Sequence, residues 1–265
     1  MDMGKKLQNA PVYFTLVQVQ FNSILALETY APKIQESLRK QNYPDLKRGV
    51  IQTFNISPPV TEGESNPHIP LSQTRRFMFS NMESTSGFIL DENALTFQTT
   101  KYETFEKFSE DFLMGLKVVH EVVDLSYTDR IGIRYLDAVF PREGEKLSEY
   151  LTESVQGIAE KLGGDIAHSF SETLTRGDAI NLLARVIVQS GNLGFPPDIN
   201  SNMLKIKERF MKLQGLHAIL DTDSFTEQRE SFSLEKIRES LNAIHKKISK
   251  AFRATVTDNA LKIWE

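Results

Sequence analysis

Between residues 11 and 21 apolar and polar side chains alternate as a half-buried strand requires. Val17, Val19 and Phe21 alternate with Gln18 and Gln20, while Val12, Phe14 and Leu16 fall opposite Tyr13, Thr15 and Val17. Asn22-Ser23 offers a cap, and Ile34 and Leu38 share one helical face. Pro32 suits a first turn, where its missing N–H costs nothing. The pattern predicts helix over residues 24 to 41, broken or restarted near Pro32 and stopped by Tyr43-Pro44. Residues 49 to 56 predict a strand, and 57 to 72, with four prolines and little apolar content, a long loop.

Three further strands are expected near 75–81, 86–91 and 94–100, the last two joined by the turn-forming Asp91-Glu92-Asn93. Thr104 is a good N-cap. After it Phe105, Phe108, Phe112, Leu116, Val119 and Val123 recur at spacings of 3, 4, 4, 3 and 4, an apolar stripe about five turns long. Residues 129 to 139 predict a strand, and 147 to 162 a weaker helix ended by Gly163-Gly164. Strands at 166–174 and 180–190 flank Arg176-Gly177-Asp178, a hairpin turn, and a loop follows over 191 to 202. Residues 203 to 213 fit neither period. A strand at 216–225 leads to a helix capped by Ser233, with the stripe Ile237, Leu241, Ile244, Ile248 and Phe252. Thr257 caps a final short helix carrying Leu261 and Trp264.

Clustered strands with helices returning singly point to an α+β fold, a largely antiparallel sheet with long amphipathic helices packed on it. The chain reads as one domain, or as two loosely similar halves, 1–142 and 147–265, parted at the turn-rich segment 141–146.

Composition narrows the function. With 265 residues, 40% hydrophobic and 25% charged, the chain has ordinary globular usage and length enough to bury roughly three-quarters of its extended surface. Its net charge is −4 and no long Lys/Arg block appears, so phosphate-neutralising contact with nucleic acid finds no support. The absence of cysteine excludes disulfides, thiolate metal sites and cysteine nucleophiles. Met1-Asp-Met-Gly-Lys-Lys precedes no apolar signal stretch, and no run reaches the length of a membrane span. A cytoplasmic protein is the expectation.

Two polar constellations stand out. Arg130 and Arg134 share a strand face with Gly132 between them, which suits an anionic ligand or a carboxylate-bearing partner, or else a solvated face countered by Asp129, Asp137 or helical Glu. Asp221 and Asp223 lie two apart near a strand end, where their carboxylates either share a divalent cation or hydrogen-bond a loop. No nucleophile elbow, paired-histidine metal motif or glycine-rich phosphate loop is present, so no catalytic residue and no cofactor is expected. His245 beside its apolar stripe reads as a packing histidine, and the Phe105, Phe108, Phe112 stripe as core. Trp264 must cover its ring against this chain or another, which makes Phe252, Leu261 and Trp264 a candidate homodimer contact.

Ile219-Leu220-Asp221-x-Asp223-x-Phe225, followed by Leu241, His245, Phe252, Thr257-Asp258, Leu261 and Trp264, resembles a sporadically distributed family of uncharacterised bacterial proteins. So do Ala10-Pro11-Val12, Leu95-x-Phe97-Gln98-Thr99-Thr100-x-Tyr102-x-Thr104-Phe105 and Arg130-Ile131-Gly132-x-Arg134-Tyr135, in the same order. The resemblance carries no activity with it. Its patchy occurrence implies an accessory role such as phage defence or partnership with a toxin, with partner choice in residues 165 to 215.

The leading expectation is therefore a non-enzymatic module that binds a protein partner, its acidic surface complementing a basic one. The runner-up is a metal-dependent phosphoesterase or nuclease using Asp221 and Asp223 with Arg130 and Arg134. A third class is a small-ligand sensor with a cavity over the sheet.

Overall fold

The computed structural model describes residues 9–54, 71–162, 166–199 and 204–265. The expected loop 57–72, with His68, and the Gly163-Gly164 cap lie largely or wholly outside them. In chain order the elements are β1 (Val12–Phe21), α1 (Leu27–Lys40), β2 (Asp45–Phe54), β3 (Leu71–Ser80), β4 (Ser86–Asp91), β5 (Ala94–Thr99), α2 (Phe105–Val123) and β6 (Tyr127–Val139). There follow α3 (Glu153–Gln156), α4 (Ala159–Leu162), β7 (His168–Thr175), β8 (Asn181–Asn192), α5 (Glu208–Met211), β9 (Gln214–Thr226), β10 (Glu230–Ser231), α6 (Leu234–Thr255) and α7 (Asp258–Trp264). The fold is α+β.

The strands form one antiparallel sheet in the order β2-β3-β4-β5-β1-β6-β9-β8-β7, with β10 beside β6. Its two arms are built alike. From the centre outward one arm runs β1, β5, β4, β3, β2 and the other β6, β9, β8, β7. In each arm the earliest strand lies innermost and the others follow from last to first. The topological divide thus falls between α2 and β6, whereas residues 141–146 form the turn after β6.

The long helices α1, α2 and α6 cover one face. Thr104 accepts a hydrogen bond from Lys107 N and opens α2, whose stripe of Phe105, Phe108, Phe112, Leu116 and Val119 is buried. Gly115 lets α2 approach closely, because a Cβ there would lie 2.2 Å from Cε1 of Phe88. Ser233 and Thr257 cap α6 and α7 as expected. Ile237, Leu241, Ile244 and Ile248 of α6 join Val17, Val19, Phe88 and Phe97 in the main core.

Several local readings change for identifiable reasons. The first helix begins at Leu27 after an uncapped Ala26 and runs through Pro32 unbroken, while Asn22 Oδ1 accepts Ser126 N at 2.8 Å. The expected 147–162 helix is divided into a 3-10 turn, α3 and α4, with Gly157 at φ 68 between the last two. A left-handed backbone at Gly157 cannot continue a helix. A bulge between Val12 and Phe14 puts Tyr13 and Phe14 together against Phe195, 5.5 and 5.2 Å between ring centroids, where strict alternation separates them.

Trp264 finds its cover within the chain. Its ring lies 6.2 Å from that of Tyr150 and 6.0 Å from that of Phe252, in a second core cluster with Val139, Leu151, Val188 and Leu220; Leu261 packs against its edge. Its position near residue 265 therefore calls for no second copy. Among the described residues no helix is long and apolar enough to cross a membrane.

Between the two clusters on the helix face runs a polar seam. Tyr135 Oη lies 3.1 Å from Tyr102 Oη and 3.3 Å from His245 Nδ1, and His245 stacks on Phe105 with centroids 4.0 Å apart. Burial lowers the His245 pKa to about 4, so the ring is neutral. The buried Thr15 hydroxyl has no hydrogen-bond partner among the described residues. Asp137, 7% exposed on the same face, accepts no hydrogen bond or ion pair among the described residues, and burial alone raises its pKa to about 7.

Candidate functional site

Among the described residues the opposite sheet face carries no long helix, and side chains two apart on its strands line up there in cross-strand rows. Leu174, Leu183, Asp223 and Arg134 form one row from β7 to β6; Glu172, Arg185, Asp221 and Leu136 form the next; Phe170, Ile187, Ile219 and Ala138 form a third. Arg134 and Asp223 are thus direct cross-strand partners, with a Cα spacing of about 5 Å for such pairs. The four residues singled out from sequence, Arg130, Arg134, Asp221 and Asp223, converge on two adjacent strands.

Arg134 is the hub. Its Nε and Nη2 donate to Asp221 Oδ1 and Oδ2 at 2.6 and 2.7 Å, a fork that holds the guanidinium planar against a carboxylate only 1% exposed. Its outer edge donates from Nη1 and Nη2 to Asp198 Oδ2 and Oδ1, at 2.6 and 3.1 Å. Burial by itself would lower the Arg134 pKa, but the hydrogen bonds to Asp221 and Asp198 outweigh it and raise it. Arg185 adds a second donor to Asp221 Oδ2 at 3.3 Å and donates from Nε to Glu172 at 2.6 Å. Arg130 is looser: its Nη2 lies 3.6 Å from Asp223 Oδ2 and its guanidinium sits 4.5 Å from the Phe225 ring centroid. Gly132 leaves room for it, since a Cβ there would lie 2.9 Å from Arg130 Nη1. Burial raises the Asp223 pKa, against the lowering effect of Arg130 and Arg134.

The counter-charges differ from those expected. Asp129 is engaged by Arg229 at 2.6 and 3.1 Å, and Asp137 points to the helix face. Asp198, Arg185 and Glu172 complete the network instead. Period-2 alternation in β7 and β8 places Glu172 and Arg185 on one face each, but pairing them needs the strand register. Asp198, in the turn where Ile199 N donates to Pro196 O, carries no local sign of its partner.

Chemically the cluster is self-satisfied. Both Asp221 oxygens accept from guanidinium groups, so a cation there would have to displace Arg134 and Arg185. Among the described residues no three His, Asp or Glu are placed to hold a metal ion.

At the outer end of the rows the character changes. β7 closes the strand order, and among the described residues no backbone hydrogen bond reaches its outer edge. Phe170 and Leu174, 53% and 50% exposed, flank Glu172 on the open face, backed by the half-buried Ile187 and Leu183. Strand edges are ordinarily blunted by lysine, proline or outward charge. β2 at the other edge has Lys47 and Arg48, whereas the one charge on β7, Glu172, is turned to Arg185. No family model matches the chain, and neither does any curated protein or solved structure.

Proposed function

We propose that this protein is a non-enzymatic interaction module that binds an extended segment of a protein partner along β7. The observation that carries the reading is the unprotected edge: eight residues of strand whose outer side pairs with no other backbone among the described residues, with Phe170 and Leu174 half exposed beside it. An added strand would satisfy those N–H and C=O groups and set alternate apolar side chains beside Phe170 and Leu174. The Arg134 cluster supports binding over catalysis, because each of its carboxylates faces an arginine of the same chain and, among the described residues, no nucleophile stands in it. A cytoplasmic setting accords with a chain free of cysteine, and membership of the sporadic bacterial family, with an antitoxin-like or phage-defence role, accords with a partner-binding edge.

The alternative, a metal-dependent phosphoesterase or nuclease, has the convergence of Arg134 with Asp223 in its favour and the saturation of Asp221 against it. Capture from the source cells with wild-type protein and with a Phe170→Ser, Leu174→Ser double variant separates the two. The expected result is one partner retained by wild type, lost by the folded variant, and rebinding in purified form. Equal capture by both proteins, or turnover of a phosphodiester with Mg²⁺ or Mn²⁺ that Asp221→Asn abolishes, would overturn the proposal.

A further inference from the structure

Asp221 is buried in the sheet and fixes Arg134 from within, whereas Asp198 meets the same guanidinium from the surface with its side chain 59% exposed. The turn that carries Asp198 is anchored a few residues earlier. Phe195 packs on Tyr13 and Phe14, and Gly194 O accepts the Tyr13 hydroxyl at 2.8 Å. The Asp198 carboxylate can therefore leave Arg134 by its own torsions while that anchor stays in place. What it would leave is an arginine, 9% exposed while Asp198 covers it, already oriented from within by Asp221 and presenting Nη1 and Nη2 outward. Asp198 Oδ2 and Oδ1 occupy that edge as the two oxygens of a carboxylate.

We propose that the outward edge of Arg134 is a carboxylate-binding site and that Asp198 is its internal occupant, replaced when the carboxylate of a ligand or partner arrives. Planar, two-oxygen acceptors match the guanidinium fork, and Asp198 shows the geometry in which one is held. Arg185 beside it, a quarter exposed, gives the incoming group a second cationic neighbour. Without Asp198 the cluster sets Arg130, Arg134 and Arg185 against Glu172, Asp221 and Asp223. Three charges then balance three. Binding comes from the directed fork and not from net field, so affinity for a simple carboxylate is roughly millimolar. The proposal does not rest on binding along the β7 edge, and substitutions at Phe170 and Leu174 leave Arg134, Asp198 and Asp221 unchanged.

The test follows the Arg134 Nε–H resonance of ¹⁵N-labelled protein during titration with sodium acetate, tetraglutamate and inorganic phosphate, at constant ionic strength. In Asp198→Ala the resonance is expected to shift saturably with acetate and with tetraglutamate. In wild type the same probes should bind about tenfold more weakly or less, because the internal carboxylate competes. Tighter binding of tetraglutamate than of acetate assigns the site to an acidic protein segment; equal binding per carboxylate assigns it to a small acid. Absence of a saturable shift in Asp198→Ala, equal affinity in both proteins, or a response to phosphate alone overturns the proposal. Asp198→Asn, which keeps the shape of the side chain, is titrated in parallel and decides the matter if the alanine variant changes its spectrum globally. Loss of partner binding in the Phe170 and Leu174 variant would not alter this titration, so the two proposals fail separately.

Discussion

Replacing Asp137 with asparagine should stabilise the protein relative to wild type by an amount that grows as pH rises from about 4 to about 7. Asp137 lies on β6 between Val12 of β1 and Leu220 of β9, facing the helices, with no hydrogen bond or counter-charge among the described residues. Around it stand Tyr13, Tyr102 and Tyr135, whose hydroxyl pKa values are all raised by burial and, in smaller part, by its charge. His245 and Glu106 border the same seam, and neither offers it a cation, since the His245 ring is neutral above about pH 4. Burial moves the Asp137 pKa from 3.8 to about 7. The folded state therefore keeps a proton that the unfolded state releases near pH 3.9. Between these values stability falls as pH rises, and above about pH 7 the full penalty is in place. A shift of about 3 units at 1.36 kcal/mol each corresponds to roughly 4 kcal/mol.

Asparagine has the shape of the protonated acid and does not titrate. Urea unfolding of wild type and Asp137→Asn should give a difference in stability that is constant below about pH 4, grows in favour of Asn as pH rises, and levels off by about pH 8 roughly 4 kcal/mol above its acid value. Taking the difference matters because His245 acts in the opposite sense. Its lowered pKa destabilises the fold as pH falls from about 6.5 toward 4, in both proteins alike. Any cost of the unpaired amide is also independent of pH. A difference that stays flat from pH 4 to 8, or one complete by pH 5, would refute the assignment of Asp137 as a buried neutral acid.

Three further outcomes follow from the packing and the charge network. Asp221→Ala leaves Arg134 and Arg185 without their shared buried carboxylate and should cost about 3–5 kcal/mol in urea unfolding, while Asp198→Ala, at the exposed end, should cost at most about 1 kcal/mol. Gly115→Ala drives a methyl into the Phe88 ring and should destabilise by about 1–3 kcal/mol, with Phe88→Leu recovering part of the loss in the double variant. Ending the chain at residue 256 removes Trp264 from Tyr150 and Phe252, so it should lower the thermal midpoint without changing the mass measured by light scattering. A change in mass would restore the dimer reading of the C-terminal helix.

The sequence alone determined the elements whose energetics are local or periodic. Stripes at helical spacing marked α2 and α6, side-chain caps at Thr104, Ser233 and Thr257 fixed where helices start, and alternation marked β1, β6 and β9. It also put Arg130 with Arg134, and Asp221 with Asp223, on shared faces, because period 2 is a property of the single strand. Only the tertiary structure decided what those faces meet. The fork from Arg134 to Asp221 depends on the β6–β9 register, where a slip of one residue would turn every side chain over. The partner of its outer edge, Asp198, is 64 residues away in a loop whose sequence encodes a turn and nothing about its contact. Asp137 was legible as a counter-charge and proved to be a buried acid on the other face, since burial belongs to the assembled layers and not to the strand. The bulge at Val12 and Phe14 and the division of residues 147–162 were decided in the same way, by packing that overrides local preference.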